Sequence, residues 1–303
     1  MRAAKVASDI PIHHSALAMT TVPAAVPADS HFVVRDAVRL HHLDWGNPDH
    51  PTIVLVHGSR LHAHVWNDFC RRFSDRYHIV AVDQRGHGDS SWCAKQGYAL
   101  EDFYQDLRAT VAERGLGRFT LVGHSLGGRV SMLFTERHPG HVERLVLVDI
   151  AAGRPANIGP DADLSRIAET PPPRAFDSQE EACEYLAQLM FRAPRPMIEE
   201  SVRHGMRRLD DGRYTWKYDP ALLQRTRGRG PAVDLWETVR RIEAPTLLQY
   251  GGVSRVVNEE LAQRMASTMP RCRIERIEGA GHALFTDQPD AFAASMGRFL
   301  ADA

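Results

Sequence analysis

The longest uninterrupted apolar runs in this chain are about five residues, against the ~20 that a membrane-spanning helix needs. Cysteine is scarce. Cys70, Cys93, Cys183 and Cys272 stand far apart with no C-x-x-C pair, which argues against a zinc cluster or a disulfide framework. They read as reduced structural thiols, and a cytoplasmic location is the matching expectation. There is no H-E-x-x-H and no G-x-x-x-x-G-K-[ST], so neither a metal nor a nucleotide site is expected, and no cofactor. Excess charge is missing too. With 37 Lys and Arg against 38 Asp and Glu, the formal net charge is −1, and no global signature for nucleic acid or a membrane surface exists. The expected partner is a small molecule, with the chain a monomer or homodimer. Residues 1–30 are rich in Ala, Pro, Ser, Thr and His. Asp9 and Pro11 interrupt any apolar core there, so the segment reads as a flexible N-terminal tail rather than a secretory signal.

Strand and helix signals alternate through the rest. His31 to Arg35 and Val38 to Trp45 read as a hairpin around Asp36-Ala37. Thr52 to Val56, Tyr77 to Val82, Phe119 to Val122 and Val142 to Val148 are short apolar strands suited to a parallel sheet covered on both faces. Helical runs lie between them at Val65 to Phe73, Leu100 to Arg114 and Arg129 to His138. From residue 151 to 243 the alternation stops and prolines crowd in, with helices at Ser178 to Met190 and Met197 to Arg207. It resumes with strands at Pro245 to Tyr250 and Arg273 to Ile277, and helices at Glu259 to Met269 and Pro289 to Leu300. Such βα repeats imply a mostly parallel sheet whose functional groups gather beyond the carboxyl ends of the strands.

One of those ends reads Gly123-His124-Ser125-Leu126-Gly127-Gly128, a G-x-S-x-G between a strand and a helix. The small residues let strand and helix backbones approach, and the turn lifts the Ser125 hydroxyl out of the sheet as a nucleophile. A hydroxyl attacks well only when a base accepts its proton. Elsewhere the chain carries His57-Gly58 after a strand, the loop Asp83-x-Arg85-Gly86-x-Gly88-x-Ser90, and a late Gly281-His282. A structural ion pair or turn cap is the expected role for Asp83, Arg85 and Asp89, ahead of a binding role.

In order and spacing, from about residue 31 to 303, these motifs resemble the α/β-hydrolase superfamily, as a serine hydrolase with a helical cap. The resemblance implies an α/β-hydrolase fold with a mostly parallel eight-stranded sheet, helices on both faces and an inserted cap. The core is expected at 31–150 and 244–303, and the cap (lid) at 151–243. It makes His282 the base, with His57 shaping the oxyanion loop. The oxyanion hole then takes the backbone N–H groups of Leu126 and Ser59.

The acid departs from the pattern. Many relatives carry an aspartate after the strand that follows the cap, where this chain reads Gly251-Gly252-Val253-Ser254-Arg255, with Arg255 at the expected place. An arginine cannot accept the imidazole N–H. Three alternatives stand: a shift to Glu259 or Glu260, where a helix starts; a Ser–His dyad; or Asp149, at the end of the preceding strand and 24 residues after Ser125. Asp149 is favoured, since some α/β-hydrolases carry the acid there.

Between Arg192 and Arg229 ten basic residues face five acidic ones. Most such arginines belong to a solvated face. One or two of them, or Arg60, are candidates to hold a substrate carboxylate through the planar guanidinium fork. His124, Arg255 and Trp216 complete the candidate binding residues. The expected activity is hydrolysis of a small ester, lactone, thioester or activated amide carrying a carboxylate, through an acyl-enzyme. The basic lid and the Asp149 placement resemble ring-degradation hydrolases of the acetamidomethylene-succinate hydrolase type. A carbon–carbon bond hydrolase, a cofactor-independent dioxygenase of the same fold and a non-catalytic ligand receptor remain alternatives.

Overall fold

The structure is a computed structural model that describes residues 28–93, 97–155, 175–224 and 233–302. The expected tail at 1–27 lies outside them, as do Arg225, Arg227 and Arg229. Strand β1 (Asp29–Arg35) takes in residues 29 and 30, the last two of the segment expected to be tail. It pairs antiparallel with β2 (Val38–Trp45). Asp36 and Ala37 both have positive φ (49° and 65°), which a two-residue hairpin turn matched to the strand twist demands.

The remaining sheet strands are β3 (Thr52–Val56), β4 (His78–Val82), β5 (Phe119–His124), β6 (Val142–Val148), β9 (Thr246–Gly251) and β10 (Cys272–Ile277). Two short strands, β7 (Met206–Arg208) and β8 (Tyr214–Trp216), form a separate sheet. The large sheet has eight strands in the order β1-β2-β4-β3-β5-β6-β9-β10, and every pairing from β4 to β10 is parallel.

Pleating sends alternate residues of β3 to opposite faces. Val54 and Val56 join an apolar layer with α2 (Leu100–Glu113), α3 (Leu126–Arg137), α7 (Leu235–Arg240) and α8 (Glu259–Thr268). Ile53 and Leu55 join the other, with a 3₁₀ turn (Ala63–Trp66), α1 (Asn67–Phe73), α9 (Leu284–Asp287) and α10 (Pro289–Ala301). Strands covered on both sides need no polar face, which is why β3, β4 and β6 are so apolar.

The segment between β6 and β9 departs from this plan. It carries α4 (Gln179–Leu189), α5 (Arg195–Gly205), the β7–β8 hairpin and α6 (Ala221–Gln224). Its own small apolar cluster holds Phe176, Ala182, Cys183, Ile198, Val202 and Met206. Ser178 caps α4 by accepting the Glu181 N–H, and Pro196 sits in the first turn of α5, where its missing N–H costs nothing. Two details differ from the sequence expectation. Met206 and Arg207 belong to β7 rather than to a helix, because Gly205 ends α5. Helix α7 buries Leu235 and Val239 in the large core, so the chain rejoins the core before residue 243. Among the described residues no helix is long and apolar enough to cross a membrane.

Candidate active site

β5 ends in His124, and Ser125 follows with φ 51° and ψ −114°, a left-handed conformation for a residue with a side chain. Holding such a residue costs ~1–3 kcal/mol, so its surroundings must impose it. The imposition is visible. Ser125 N–H donates to the Val148 carbonyl (3.2 Å), and the Ser125 carbonyl accepts from Gly128 N–H (3.0 Å) and Arg129 N–H (3.2 Å). A Cβ at Gly127 would collide with the Val56 and His57 carbonyls, and one at Gly123 with the Ser131 hydroxyl and the Gly128 backbone. Leu126 opens α3, so its N–H is among the four that a helix leaves without an internal acceptor. Ser125 itself is half-buried.

His282 comes from the loop between β10 and α9. Its Nδ1 donates to Asp149 Oδ2 at 2.7 Å. Its carbonyl accepts from Nε2 of His124, at 2.9 Å, and the two rings lie 4.6 Å apart. The histidine loop is thereby pinned to the elbow. Gly281 N–H donates to Asp287 Oδ2 (2.7 Å), which holds the same loop from its other side. Burial pushes the Asp287 carboxyl upward, with the Gly281 N–H opposing. With Nδ1–H committed to Asp149, Nε2 of His282 carries the lone pair that a general base needs.

Asp149 is fully buried, one residue past β6, at φ 48°. Its Oδ1 accepts Gly251 N–H (3.0 Å), and its Oδ2 accepts both His282 and the Ser254 hydroxyl (2.5 Å). Its own N–H donates to the Gln249 carbonyl (2.8 Å). Glu259 and Glu260 are exposed at the start of α8, and Glu259 bonds Tyr250 and Gln263 instead. Arg255 is exposed. The side chain of its loop that turns inward is Ser254, a residue the sequence offered no reason to choose.

The loop after β3 is tied down by its histidine. His57 Nδ1 donates to the Gly58 carbonyl (2.7 Å) while Nε2 accepts Gln84 N–H (3.1 Å). The Gln84 amide returns to the His57 carbonyl (2.6 Å). Burial lowers His57 to about 4, so this hinge is neutral. Ser59 and Arg60 follow, both half-buried, and Arg60 has φ 64°. The Arg60 charge acts on the Tyr185 and Tyr218 phenols of the insertion, each raised chiefly by burial, so Arg60 is near that insertion. The expected structural role of the Asp83 loop matches its contacts. Arg85 forks onto Asp106 (2.5 and 2.7 Å). Asp83 accepts His41 (2.7 Å), Ala63 N–H (2.6 Å) and Asp89 N–H (2.9 Å). Burial alone would raise Asp83, but the His41 bond and the neighbouring His57 hold it well below the usual carboxylate range. His41, Asp83 and Asp89 offer atoms within 4.8 Å of one another, the spacing of a metal set. Their bonds to each other and to Lys217 (2.6 Å from Asp89) already use them.

His124 is almost wholly buried, and burial with the nearby His282 lowers its pKa well below the ordinary value. It supports His282 from below rather than facing a ligand, a correction to its candidacy as a binding residue. Trp216 is half-buried, edge-on to Phe176 and stacked near Tyr218, within the insertion's apolar cluster.

The insertion meets the core along a polar seam that sequence reading missed. Glu200 accepts Arg71 through both oxygens (2.9 and 3.0 Å) and the Asn67 amide (2.8 Å). His62 Nε2 donates to the Ser201 carbonyl (3.1 Å), and the His64 and His204 rings stack at 3.7 Å. A narrow cavity of about 30 Å³ lies along the seam between Leu61, Val65, Met190, Met197, Ala283 and Phe285. Leu61 is two residues past Ser59 and Ala283 is next to His282, so the cavity starts beside the candidate catalytic groups.

Four similarities to known proteins accompany this geometry. The profile of the alpha/beta hydrolase family matches residues 53–295. An esterase of Mycobacterium tuberculosis, Esterase Rv0045c, is 28% identical over 255 residues, 82% of this chain and 82% of that protein. The 2-(acetamidomethylene)succinate hydrolase of Mesorhizobium japonicum is 26% identical over 281 residues, 91% of this chain and 98% of that protein. A crystal structure of E-2-(acetamidomethylene)succinate hydrolase superposes with a TM-score of 0.81 at 26% identity, covering 91% of this chain and all of that one.

Proposed function

Because the chain belongs to the alpha/beta hydrolase family, we propose that it is a serine-dependent hydrolase of a small acyl substrate: an ester, lactone, thioester or activated amide carrying a carboxylate. The observation that carries this reading is the 2.7 Å bond from His282 Nδ1 to the buried Asp149, beside a serine held in the elbow conformation. Ser125 Oγ attacks the carbonyl carbon and His282 Nε2 takes its proton. Asp149 keeps the imidazole in the tautomer that can do so and stabilises the cation that forms. The N–H groups of Leu126 and Ser59 receive the negative charge on the carbonyl oxygen. His282 then protonates the leaving group, and water attacks the acyl-enzyme by the same route in reverse. The insertion roofs the site as its cap. We assign to Arg60 the fork onto that carboxylate, a charge that the name of the succinate hydrolase relative also implies for its substrate.

The test is a panel of esters and lactones, with and without carboxylates, run beside Ser125→Ala and beside labelling by a fluorophosphonate. Turnover with a preference for the carboxylate-bearing members, lost in Ser125→Ala together with labelling, is the expected result. Oxygen uptake with an N-heteroaromatic in place of hydrolysis would overturn it in favour of a dioxygenase. Cleavage of a vinylogous diketone alone would favour a carbon–carbon hydrolase.

A further inference from the structure

The loop that carries His282 is held from two sides, and the second side leads to the insertion. On the first, His282 Nδ1 donates to Asp149 Oδ2 at 2.7 Å. On the second, the N–H of the buried Gly281, one residue before the base, donates to Asp287 Oδ2, also at 2.7 Å. Asp287 ends α9 and is half-buried. A Cβ built on Gly281 would lie 3.1 Å from Asp287 Oδ2 and 3.7 Å from Arg192 Nη1. Arg192 belongs to the insertion, in the turn between α4 and α5. Met190, in the same turn, borders the seam cavity together with Ala283, Phe285 and Thr286. This turn therefore lies along the histidine loop and α9. The Arg192 guanidinium covers the Phe191 ring at 4.2 Å and acts on the Asp287 carboxylate through space. Among the described residues it makes no hydrogen bond or ion pair.

We propose that Asp287 is a positioning residue for His282, and that Arg192 steadies Asp287 from the insertion, so that seating of the insertion is passed to the general base. The proposal rests on His282 acting as that base in the reading above. Gly281 has no side chain to pack, so the placing of its backbone depends on the bond to Asp287. Burial disfavours a charge on Asp287, while the Gly281 N–H, Arg192 and His282 favour it. Arg192 is the one of these three that comes from the insertion. The other charged and titratable groups at this place are Asp149, from the end of β6, and His124, whose Nε2 donates to the His282 carbonyl. Asp149 opposes the charge on Asp287. The Gly281 N–H bonds Asp287 rather than either of them.

The test measures kcat, KM and the pH profile of kcat/KM for Asp287→Asn, Arg192→Met and the double variant, with His282→Gln as reference. The substrate is the best ester of the panel. Asp287→Asn keeps an oxygen for the Gly281 N–H and removes the charge. It should lower kcat about five-fold at unchanged KM and move the acid limb of kcat/KM about half a pH unit lower. The sign follows because a carboxylate near an imidazole favours the protonated, inactive base. A carboxylate that only braced the fold would change the melting temperature and leave that limb in place. Arg192→Met keeps most of the apolar stem. It should lower kcat about three-fold in the wild-type background and not at all beside Asp287→Asn, since it acts through that carboxylate. Wild-type kcat with an unmoved acid limb in Asp287→Asn overturns the positioning role. Equal effects of Arg192→Met in both backgrounds overturn the link to the insertion. Wild-type turnover in His282→Gln would instead sink the base assignment, and the proposal with it.

Discussion

The floor of the proposed site and the insertion proposed as its roof are held by different mixtures of bond. On the floor, backbone groups do the holding: Ser125 is fixed by Val148, Gly128 and Arg129, Asp149 by Gly251 and Gln249, and His57 by Gly58 and Gln84. The roof is held mostly through side chains: Glu200 on Arg71 and Asn67, His64 on His204, Lys217 on Asp89, and the Tyr98 hydroxyl on Asp219 (2.5 Å), with the bond from Asp219 N–H to the Gly86 carbonyl (2.8 Å) a backbone contact among them. Backbone bonds inside a packed sheet fix reacting groups to a fraction of an ångström, which acyl transfer needs. Side-chain bonds across a seam can be remade one at a time, which suits an element that must admit substrate. Floor substitutions should therefore act on kcat and roof substitutions on KM.

The floor gives the largest effect. Ser125→Ala should remove turnover to within the background, a loss of about 10⁴–10⁶-fold, while leaving the melting temperature about unchanged, because alanine keeps the Cβ that the positive φ strains. Asp149→Asn should cost about 10³–10⁴-fold in kcat with little change in KM, since the amide cannot set the His282 tautomer. A loss expressed mainly in KM, read from initial rates over a substrate series, would break the division between floor and roof.

Acid tests both halves at once. Burial holds His57 and His42 on the floor, and His62 and His64 on the core side of the seam, near 4, and His87 near 3. A histidine that titrates near 6.5 when unfolded but only near 4 when folded binds its proton more readily in the unfolded chain. Stability is then full above about pH 6.5 and drains away as pH falls from there towards 4. The melting temperature should be level above pH 7 and fall by ten degrees or more by about pH 5. KM should rise before ellipticity changes, because the seam's stacked His64–His204 pair needs neutral rings. A melting temperature level down to pH 4.5 would show that these rings are not held neutral.

Much of this was legible in the sequence, and the limit has a physical cause. The core alternation and the elbow motif around Ser125 were readable because each depends on local pattern: apolar runs and glycines at a tight turn. His282 and Asp149 came from the family resemblance rather than from pattern, and in the structure the two are hydrogen-bonded. Which side chain of the loop after β9 turns inward was not legible, because that depends on the path of the backbone rather than on composition. Ser254 faces Asp149 and Arg255 faces solvent, one position apart. His124 was misread for a similar reason, since nothing local says whether an elbow residue points up to a ligand or down under the base. The β7–β8 hairpin and the seam were invisible because three-residue strands and pairs such as Arg71–Glu200, 129 residues apart, leave no periodic trace.

Arg60 sharpens the comparison because it follows Ser59 in the loop after β3 while its charge acts on Tyr185 and Tyr218 of the insertion. Arg60→Ala should raise KM about ten-fold for carboxylate-bearing esters and leave uncharged esters of the same size unchanged, the loss expected for one charge-assisted contact. Arg60→Lys should fall between, keeping the charge but losing the two-pronged geometry. Equal effects on charged and neutral substrates in a paired KM series would assign Arg60 to holding the loop rather than the substrate.

The smallest effect belongs to the seam. Glu200→Gln keeps the shape and an acceptor for Asn67 but removes the charge that Arg71 grips with both its terminal nitrogens. The pair is partly exposed, with Arg71 at 35% and Glu200 at 22%, so water already screens much of its attraction. Its loss should raise KM by only about two- to three-fold, lower the melting temperature by about 2–4 °C, and leave kcat untouched. Burial pushes the Glu200 carboxyl up, but its bonds to Arg71 and Asn67 hold it below the ordinary value, so wild type should approach the variant's KM as pH falls below about 4.5. A kcat that drops with KM intact would mean the seam reaches the reacting atoms after all, through the short path from Leu61 to Ser59.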